Sequence, residues 1–81
     1  MIIRIRLFAG LKERVGNPLV ELELPAGATI ADARAEFARR YPAVEPLVRR
    51  ALFASDLEYV TDATPLDEHA ELACIPPVSG G

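Results

Sequence analysis

The residues that most often build metal and redox sites are scarce in this chain of 81 amino acids. It has one cysteine, one histidine and no tryptophan. One histidine and one cysteine cannot supply the three or four nitrogen and sulfur ligands of a typical zinc site, so we expect no bound metal. A single cysteine also excludes an intramolecular disulfide and is typical of a protein from a reducing compartment.

The chain also lacks the parts of a self-sufficient enzyme. Gly10, Gly16 and Gly27 are isolated from one another, so they do not form a glycine-rich phosphate loop. Ser55 and Ser79 have only His69 as a basic partner, which does not meet the geometric demands of a hydrolytic triad. A domain of this length buries only about 60% of its unfolded surface and leaves little room for an internal cavity. We therefore expect any deep active site to belong to a partner.

Basic residues are absent from the C-terminal part of the chain. Residues 1–50 hold all nine basic residues and six acidic ones. Residues 51–81 hold six acidic residues only, namely Asp56, Glu58, Asp62, Asp67, Glu68 and Glu71. The formal net charge of −3 argues against binding to nucleic acids or anionic membranes. The acidic part is expected to be either a solvated face or a docking surface for a partner.

Long apolar runs are missing as well. No run approaches the roughly 18 residues of a membrane span. Arg4 and Arg6 interrupt the apolar N-terminus before the core of a signal peptide can form. We expect a cytoplasmic protein.

Alternating residues predict two strands near the N-terminus. In residues 2–8 isoleucine and leucine alternate with Arg4 and Arg6, and in residues 19–24 valine and leucine alternate with Glu21 and Glu23. The segment between them, 9–18, contains turn residues and is long enough for a helical turn, so the strands can form a hairpin. Facing arginine and glutamate side chains would then stabilise the pair by about 0.2–1 kcal/mol each.

A helix is predicted after the break at residues 25–27. Thr29 is a suitable N-cap because Asp32 follows three residues later. Apolar residues recur at helical spacing from residue 30 to Tyr41, and Pro42 ends the pattern. Residues 45–52 predict a short second helical piece, residues 51–54 and 57–60 predict brief strands, and the apolar run 71–75 predicts a final strand buried on both faces.

This order of elements predicts an α+β domain with a mixed sheet and one main helix on one face. If the first and last strands pair in parallel at the centre of the sheet, the arrangement is the ubiquitin-like β-grasp fold. We expect the domain to span residues 1–76 and a flexible, extended tail to span residues 77–81. Cys74 lies in the last strand and is expected to be a small buried hydrophobe, whereas His69 is expected to be a solvated turn residue.

The tail is the remaining feature. Two prolines favour an extended exit from the sheet, and two glycines can thread a slot too narrow for other residues. Six extended residues span roughly 20 Å at most. A free carboxylate is inert to nucleophiles, so the terminal glycine becomes useful only after activation, for instance as an acyl adenylate made by a partner that uses ATP. The activated group could then form an isopeptide bond with a lysine or exchange for sulfur to give a thiocarboxylate. The residues of this segment are Pro76, Pro77, Val78, Ser79, Gly80 and Gly81.

Both ends of the sequence resemble one known family. The opening IRLFAGLKERVG and the ending CIPPVSGG resemble the MoaD-type small subunit of molybdopterin synthase, a ubiquitin-like sulfur carrier of the MoaD/ThiS family. The chain departs from the family pattern at Cys74, where an aromatic residue is usual, and at residues 68–71, where the family turn is Asp-Gly-Asp-Glu. The segment FASDLEYV also lacks the asparagine that is common in the family.

The resemblance implies a non-catalytic, sulfur-donating subunit. In that scheme a MoeB-like enzyme uses ATP to adenylate the Gly81 carboxylate, which becomes a thiocarboxylate. The tail enters a MoaE-type large subunit, within a heterotetramer, and donates sulfur to cyclic pyranopterin monophosphate in molybdenum cofactor biosynthesis. The large subunit supplies the catalytic residues, and the small chain itself binds no cofactor. Candidate residues for the surface that contacts the partner are Phe8, Leu57 and Cys74.

Other functions remain open at this point. The tail also fits a ThiS-like thiazole carrier or a Urm-type (ubiquitin-related modifier) carrier that conjugates to lysines. A non-catalytic β-grasp module for protein interaction, with an incidental Gly-Gly end, is the alternative from a different class.

Overall fold

The alternating N-terminal segments form the predicted hairpin. In the computed structural model, which describes residues 1–77, strand β1 spans Ile2–Leu7 and strand β2 spans Leu19–Glu23. They pair antiparallel, with Arg4 opposite Glu21 and Ile5 opposite Val20. The connection contains a helix of two turns, α1 (Ala9–Val15), which ends at Gly16 with φ 82°, a left-handed conformation that glycine adopts at little cost.

The main helix begins where its capping residues predict. Helix α2 spans Ile30–Arg40, after Thr29 as N-cap. The backbone N–H of Thr29 donates to Asp32 Oδ2 at 2.9 Å, and the N–H of Asp32 donates to Thr29 Oγ1 at 3.4 Å, which is a capping box. Its apolar stripe is buried around Phe37, and Tyr41, just past the last helical residue, packs edge-on against that ring. A short 3₁₀ turn (Pro42–Val44) and helix α3 (Glu45–Arg50) follow, so the predicted second helical piece is confirmed.

Three further strands complete one mixed sheet. They are β3 (Leu52–Ser55), β4 (Glu58–Val60) and β5 (Glu71–Ile75), and the strand order is β2-β1-β5-β3-β4. β1 and β5 are parallel, and the other neighbours are antiparallel. Inward side chains of the strands and the apolar stripes of the three helices form one core cluster, so the helices cover one face of the sheet only. The predicted β-grasp arrangement is confirmed.

Two expectations about the strands are wrong. β5 is not buried on both faces: Leu72 and Cys74 lie in the core, but Ala73 and Ile75 point to the uncovered face and are only half-buried. The expected pairing of Arg4 and Arg6 with Glu21 and Glu23 is confirmed only for Arg4 and Glu21, at 3.0 Å. Glu23 lies opposite Ile2, so it does not pair with Arg6. The Arg6 guanidinium donates instead to Glu71 at 2.9 Å, because β5 flanks β1 on the side away from β2.

The division of the chain into a domain of 1–76 and a tail of 77–81 stays a prediction, since residues 78–81 lie outside the described residues. Among residues 1–77, no helix has the length and apolar character needed to cross a membrane.

One side chain joins three parts of the fold. Arg34 of α2 donates through Nη1 to the carbonyls of Val48 (2.8 Å) and Ala51 (2.7 Å), at the C-terminal end of α3. Through Nη2 it donates to Asp62 at 2.8 Å, and its guanidinium carbon lies 4.9 Å from the centre of the Phe53 ring. The last carbonyls of a helix lack the usual partner four residues on, and here the Ala51 N–H donates to the Val48 carbonyl, at 3.2 Å. The guanidinium adds hydrogen bonds to this helix end and also binds the loop before β5.

Replacement of Arg34 by lysine should therefore destabilise the domain. An ammonium group carries the same charge, but it lacks the planar fork that reaches two carbonyls and a carboxylate at once. We expect Arg34→Lys to lower the free energy of unfolding by about 1.5–3 kcal/mol, the range for hydrogen bonds to charged groups. Urea denaturation followed by circular dichroism measures this. The matched control is Arg40→Lys at an exposed position of the same helix, and an equal loss in both variants would contradict the assigned role.

Candidate functional site

The face of the sheet that the helices leave uncovered is the candidate site. The register places Ala73 of β5 beside Arg6 on one side and beside Ala54 on the other, and Ala54 beside Tyr59 of β4. In the next row Ile75 lies opposite Leu52. We call this area the outer surface; its apolar members are Phe8, Leu52, Ala54, Leu57, Tyr59, Ala73 and Ile75.

The outer surface holds most of the large apolar side chains that are exposed in residues 1–77. Among the described residues, five large hydrophobic side chains are exposed. Four belong to the outer surface, and Ile2 lies on the same face of the sheet but at the opposite end of β1 from Phe8. Leu57 is 103% exposed and Tyr59 is 68% exposed. The two alanines form the floor of a shallow depression of about 480 Å³, which is lined by Phe8, Ala54, Leu57, Tyr59, Ala73 and Ile75. A contiguous apolar patch of this kind typically marks an interaction site.

The structure brings two of the three predicted surface residues together. Phe8 and Leu57 line the same depression, although they come from different elements. Cys74 does not join them, because its side chain is 0% exposed and faces the core. The prediction of a surface role for Cys74 is corrected by strand alternation: when Leu72 and Cys74 point inward, Ala73 and Ile75 must point outward.

Sequence reasoning missed Tyr59 and Ile75. Ile75 alternates with Cys74 along β5, which indicates that the two side chains point to opposite faces. The continuous apolar run, however, predicts a strand that is buried on both faces. Tyr59 lies on the same face as Ile75 because it is the cross-strand neighbour of Ala54. Its place beside the depression depends on the pairing of β4 with β3, which is set by the hairpin.

The chain leaves the sheet at the edge of the outer surface. β5 ends at Ile75, and the pairing of Leu7 with Cys74 puts this end beside the end of β1, where Phe8 follows. Pro76 and Pro77 are half-buried. The remaining predicted tail residues, Val78, Ser79, Gly80 and Gly81, lie outside the described residues.

Acidic side chains border the outer surface. Asp56 forms the turn between β3 and β4 with Leu57, and Glu58 begins β4; both acidic residues are exposed. Glu58 lies opposite Ser55, on the other face of the sheet from Tyr59. Glu71 is engaged by Arg6, and Asp62 by Arg34. In the part of the chain that the structure describes, Asp56 and Glu58 form no ion pair. The border of the outer surface therefore carries uncompensated negative charge at Asp56.

Unusual backbone conformations also cluster here. Positive φ angles at residues other than glycine occur at Ala9 (50°), Asp56 (50°), Leu57 (67°) and His69 (65°). Ala9 directly follows Phe8, and the next two form the turn beside the depression. His69 is exposed in a turn, as predicted. Left-handed conformations are costly for residues with a Cβ, and such strain is often found at functional sites.

The described residues offer little chemistry of their own. In residues 1–77, no group of three or more His, Cys, Asp or Glu side chains could hold a metal ion. Burial raises the pKa of the Cys74 thiol from its ordinary value of 9.0 to about 12, so it stays protonated and weakly nucleophilic at neutral pH. The arrangement is suited to recognition by another protein and to holding a C-terminal segment at the edge of the recognised surface.

Comparison with known proteins shows the family to which the chain belongs. The model of the ThiS family matches residues 5–81. The chain belongs to the ThiS family. It is 35% identical to the molybdopterin synthase sulfur carrier subunit of Arabidopsis thaliana over 79 residues, which cover 98% of this chain and 82% of the relative. It is also 35% identical to the protein of the same name from Chlamydomonas reinhardtii over 83 residues, with full coverage of both chains. The family resemblance of the two sequence ends is thereby confirmed.

Solved structures share the fold seen here. SAMP1 from Haloferax volcanii superimposes with a TM-score of 0.87 at 28% identity, and both chains are covered completely. A ubiquitin from Caldiarchaeum subterraneum superimposes with a TM-score of 0.68 at 20% identity over 100% of this chain and 98% of that one, which shows the ubiquitin-like fold alone.

The raised pKa of Cys74 predicts a specific loss of stability in alkaline solution. The unfolded thiol loses its proton above about pH 9, whereas the folded thiol keeps it up to about pH 12. The unfolded state is therefore favoured as the pH rises through this window, by up to about 1.4 kcal/mol per pH unit. Urea denaturation between pH 8 and about pH 10 should show this slope in the wild type but not in Cys74→Ala. Equal slopes in the two proteins would contradict the assignment.

Proposed function

We propose that this chain is the sulfur carrier subunit of a molybdopterin synthase. Its Gly81 carboxylate is adenylated, is converted to a thiocarboxylate and donates sulfur to cyclic pyranopterin monophosphate in molybdenum cofactor biosynthesis. The observation that carries the proposal is the full-length similarity, at 35% identity, to two proteins named molybdopterin synthase sulfur carrier subunit. The Pro-Pro-Val-Ser-Gly-Gly end of the sequence supports it, because the proposed chemistry depends on that segment.

The chemistry proceeds in two displacements at the end of the chain. A carboxylate oxygen of Gly81 attacks the α-phosphorus of ATP, and pyrophosphate leaves. Hydrosulfide, supplied by a sulfur donor, then attacks the acyl carbon of the adenylate, AMP leaves, and the S–H proton is lost to water. Glycine has no Cβ to obstruct either approach. The thiocarboxylate that results carries a nucleophilic sulfur that can be passed to the pterin.

Partners must supply the catalytic groups for these steps. Among the described residues, the one thiol is buried and protonated, and the one imidazole, His69, lies exposed in a turn. A MoeB-like enzyme that binds ATP would perform the activation, and a MoaE-type large subunit would perform the transfer within a heterotetramer. In this scheme the chain binds no cofactor and acts as a cosubstrate.

The outer surface is the proposed contact with the large subunit. It is apolar, it is uncovered by the chain's own helices, and β5 carries the tail away from its edge at Ile75. A partner that covers Phe8, Tyr59 and Ile75 would hold the start of the tail at the entrance of its own active site. Packing of this area would also hide hydrophobic side chains that water surrounds in the free chain.

A second candidate function is that of a protein modifier. It is favoured by the similarity to SAMP1 from Haloferax volcanii, since a second solved structure from that organism is described as small archaeal modifier protein 1. In this function the activated Gly81 would form an isopeptide bond with a lysine of a target protein.

Removal of Gly81 distinguishes these functions from a plain interaction module. We expect the wild type, incubated with the activating enzyme, ATP and a sulfur donor, to show by intact-protein mass spectrometry the mass gain that corresponds to replacement of one oxygen by sulfur. A chain that ends at Gly80 should show none, because the acyl group is misplaced in the activating enzyme, and its thermal unfolding should match that of the wild type.

The control for the truncation is a surface substitution on the main helix. Arg40→Ala, far from the tail in sequence and exposed on α2, should be thiocarboxylated like the wild type. A truncated chain that still supports sulfuration of the pterin would overturn the carrier role. Lysine adducts without a thiocarboxylate would favour the modifier, and neither product in the wild type would favour the interaction module.

A further inference from the structure

Leu57 has the most unfavourable surroundings of any apolar residue in the described chain. Its side chain is 103% exposed, and its backbone has φ 67°. Ser55 pairs with Glu58, so Asp56 and Leu57 form a two-residue hairpin loop in which both residues have positive φ. Such loops favour Asn-Gly or Asp-Gly, because asparagine and glycine tolerate this conformation. A leucine here combines backbone strain with complete exposure of an apolar side chain.

Nothing within residues 1–77 compensates for this arrangement. The side chain lies at the border of the depression floored by Ala54 and Ala73, and it remains uncovered. Strain that persists in a folded chain is a reason to look for function, because a less strained residue would stabilise the free protein.

The charges around Leu57 indicate the chemistry of that partner. Both sequence neighbours, Asp56 and Glu58, are acidic and exposed. Glu71, on the adjoining part of the surface, is paired with Arg6. The negative charge that no ion pair neutralises therefore lies next to Leu57. A pocket that receives this leucine is complementary if it is apolar inside and basic at its rim.

We propose that Leu57 is an anchor that selects the partner, a large-subunit-type protein with an apolar pocket bordered by lysine or arginine side chains. The proposal rests on the proposed function, since it concerns the same outer surface. A second copy of this chain fits less well. A symmetric dimer centred on Leu57 would bring the Asp56 and Glu58 side chains of both copies close together, and like charges would repel.

Two substitutions at Leu57 test the anchor. Leu57→Asn suits the left-handed turn but removes the apolar side chain, so we expect binding to weaken by about tenfold or more, as for an interface hot spot. The same variant should unfold at a higher temperature, because the strain is relieved. Leu57→Met keeps the apolar bulk and should bind within about threefold of the wild type. Ile2→Thr, an exposed apolar position on the same face but at the opposite end of β1 from Phe8, is the matched control and should bind unchanged.

Calorimetric titration with the purified large subunit of molybdopterin synthase from the same organism measures these affinities. If the wild type binds and Leu57→Asn binds equally well, the anchor is overturned while the carrier function stands. If the wild type does not bind, the proposed partner fails and the anchor fails with it.

The salt dependence of association tests the basic rim, and the oligomeric state of the free chain tests the dimer alternative. The association rate of the wild type should fall as salt is added, and Asp56→Asn combined with Glu58→Gln should remove most of that dependence. A wild-type rate that is insensitive to salt would overturn the basic rim. Sedimentation of the wild type alone should show a monomer, and a dimer that Leu57→Asn abolishes would overturn the proposal in favour of a second copy.

Discussion

The parallel pairing of β1 with β5 is the constraint on which most other features of this chain depend. Antiparallel strands can be joined by a tight turn, but parallel neighbours need a crossover, and here that crossover contains every element between the first hairpin and the last strand. The pairing places β5 between β1 and β3, so the C-terminal strand lies at the centre of the sheet and is hydrogen-bonded on both sides. The segment that carries Pro76 and Pro77 therefore starts from one of the most firmly held strands.

The same constraint explains why one face of the sheet stays open. A chain this short has helices for one layer only, and α1, α2 and α3 all pack on the inner face. Arg34 joins α2 to the end of α3 and to the loop before β5 by hydrogen bonds, where a larger domain could use further apolar packing. The apolar side chains of the other face are left exposed, and they surround the place where the chain leaves the sheet.

Local signals in the sequence predicted the elements well. Alternation located β1 and β2, and the Thr29–Asp32 pair located the start of α2, because both signals depend on residues close together in the chain. Signals that depend on distant residues failed. Alternation cannot show which faces of β5 are covered, and the partner of Arg6 depends on a strand that is remote in sequence. The family resemblance indicates Phe8 and Leu57 as surface residues. Ile75 and Tyr59 are assigned to the same surface only by the pairing of the strands, which the sequence alone does not show.

In the proposed function the chain serves two partners, and its short C-terminal segment restricts how they can bind. An activating enzyme and a large subunit would both have to reach Gly81, and six extended residues span roughly 20 Å at most from the end of β5. Two proteins of ordinary size cannot approach one chain terminus so closely at the same time, so their binding would be mutually exclusive. Each complex must then dissociate before the next can form, and very tight binding at either stage would slow the cycle. A small apolar surface with an acidic border suits this demand, because charge speeds encounter more than it prolongs the complex.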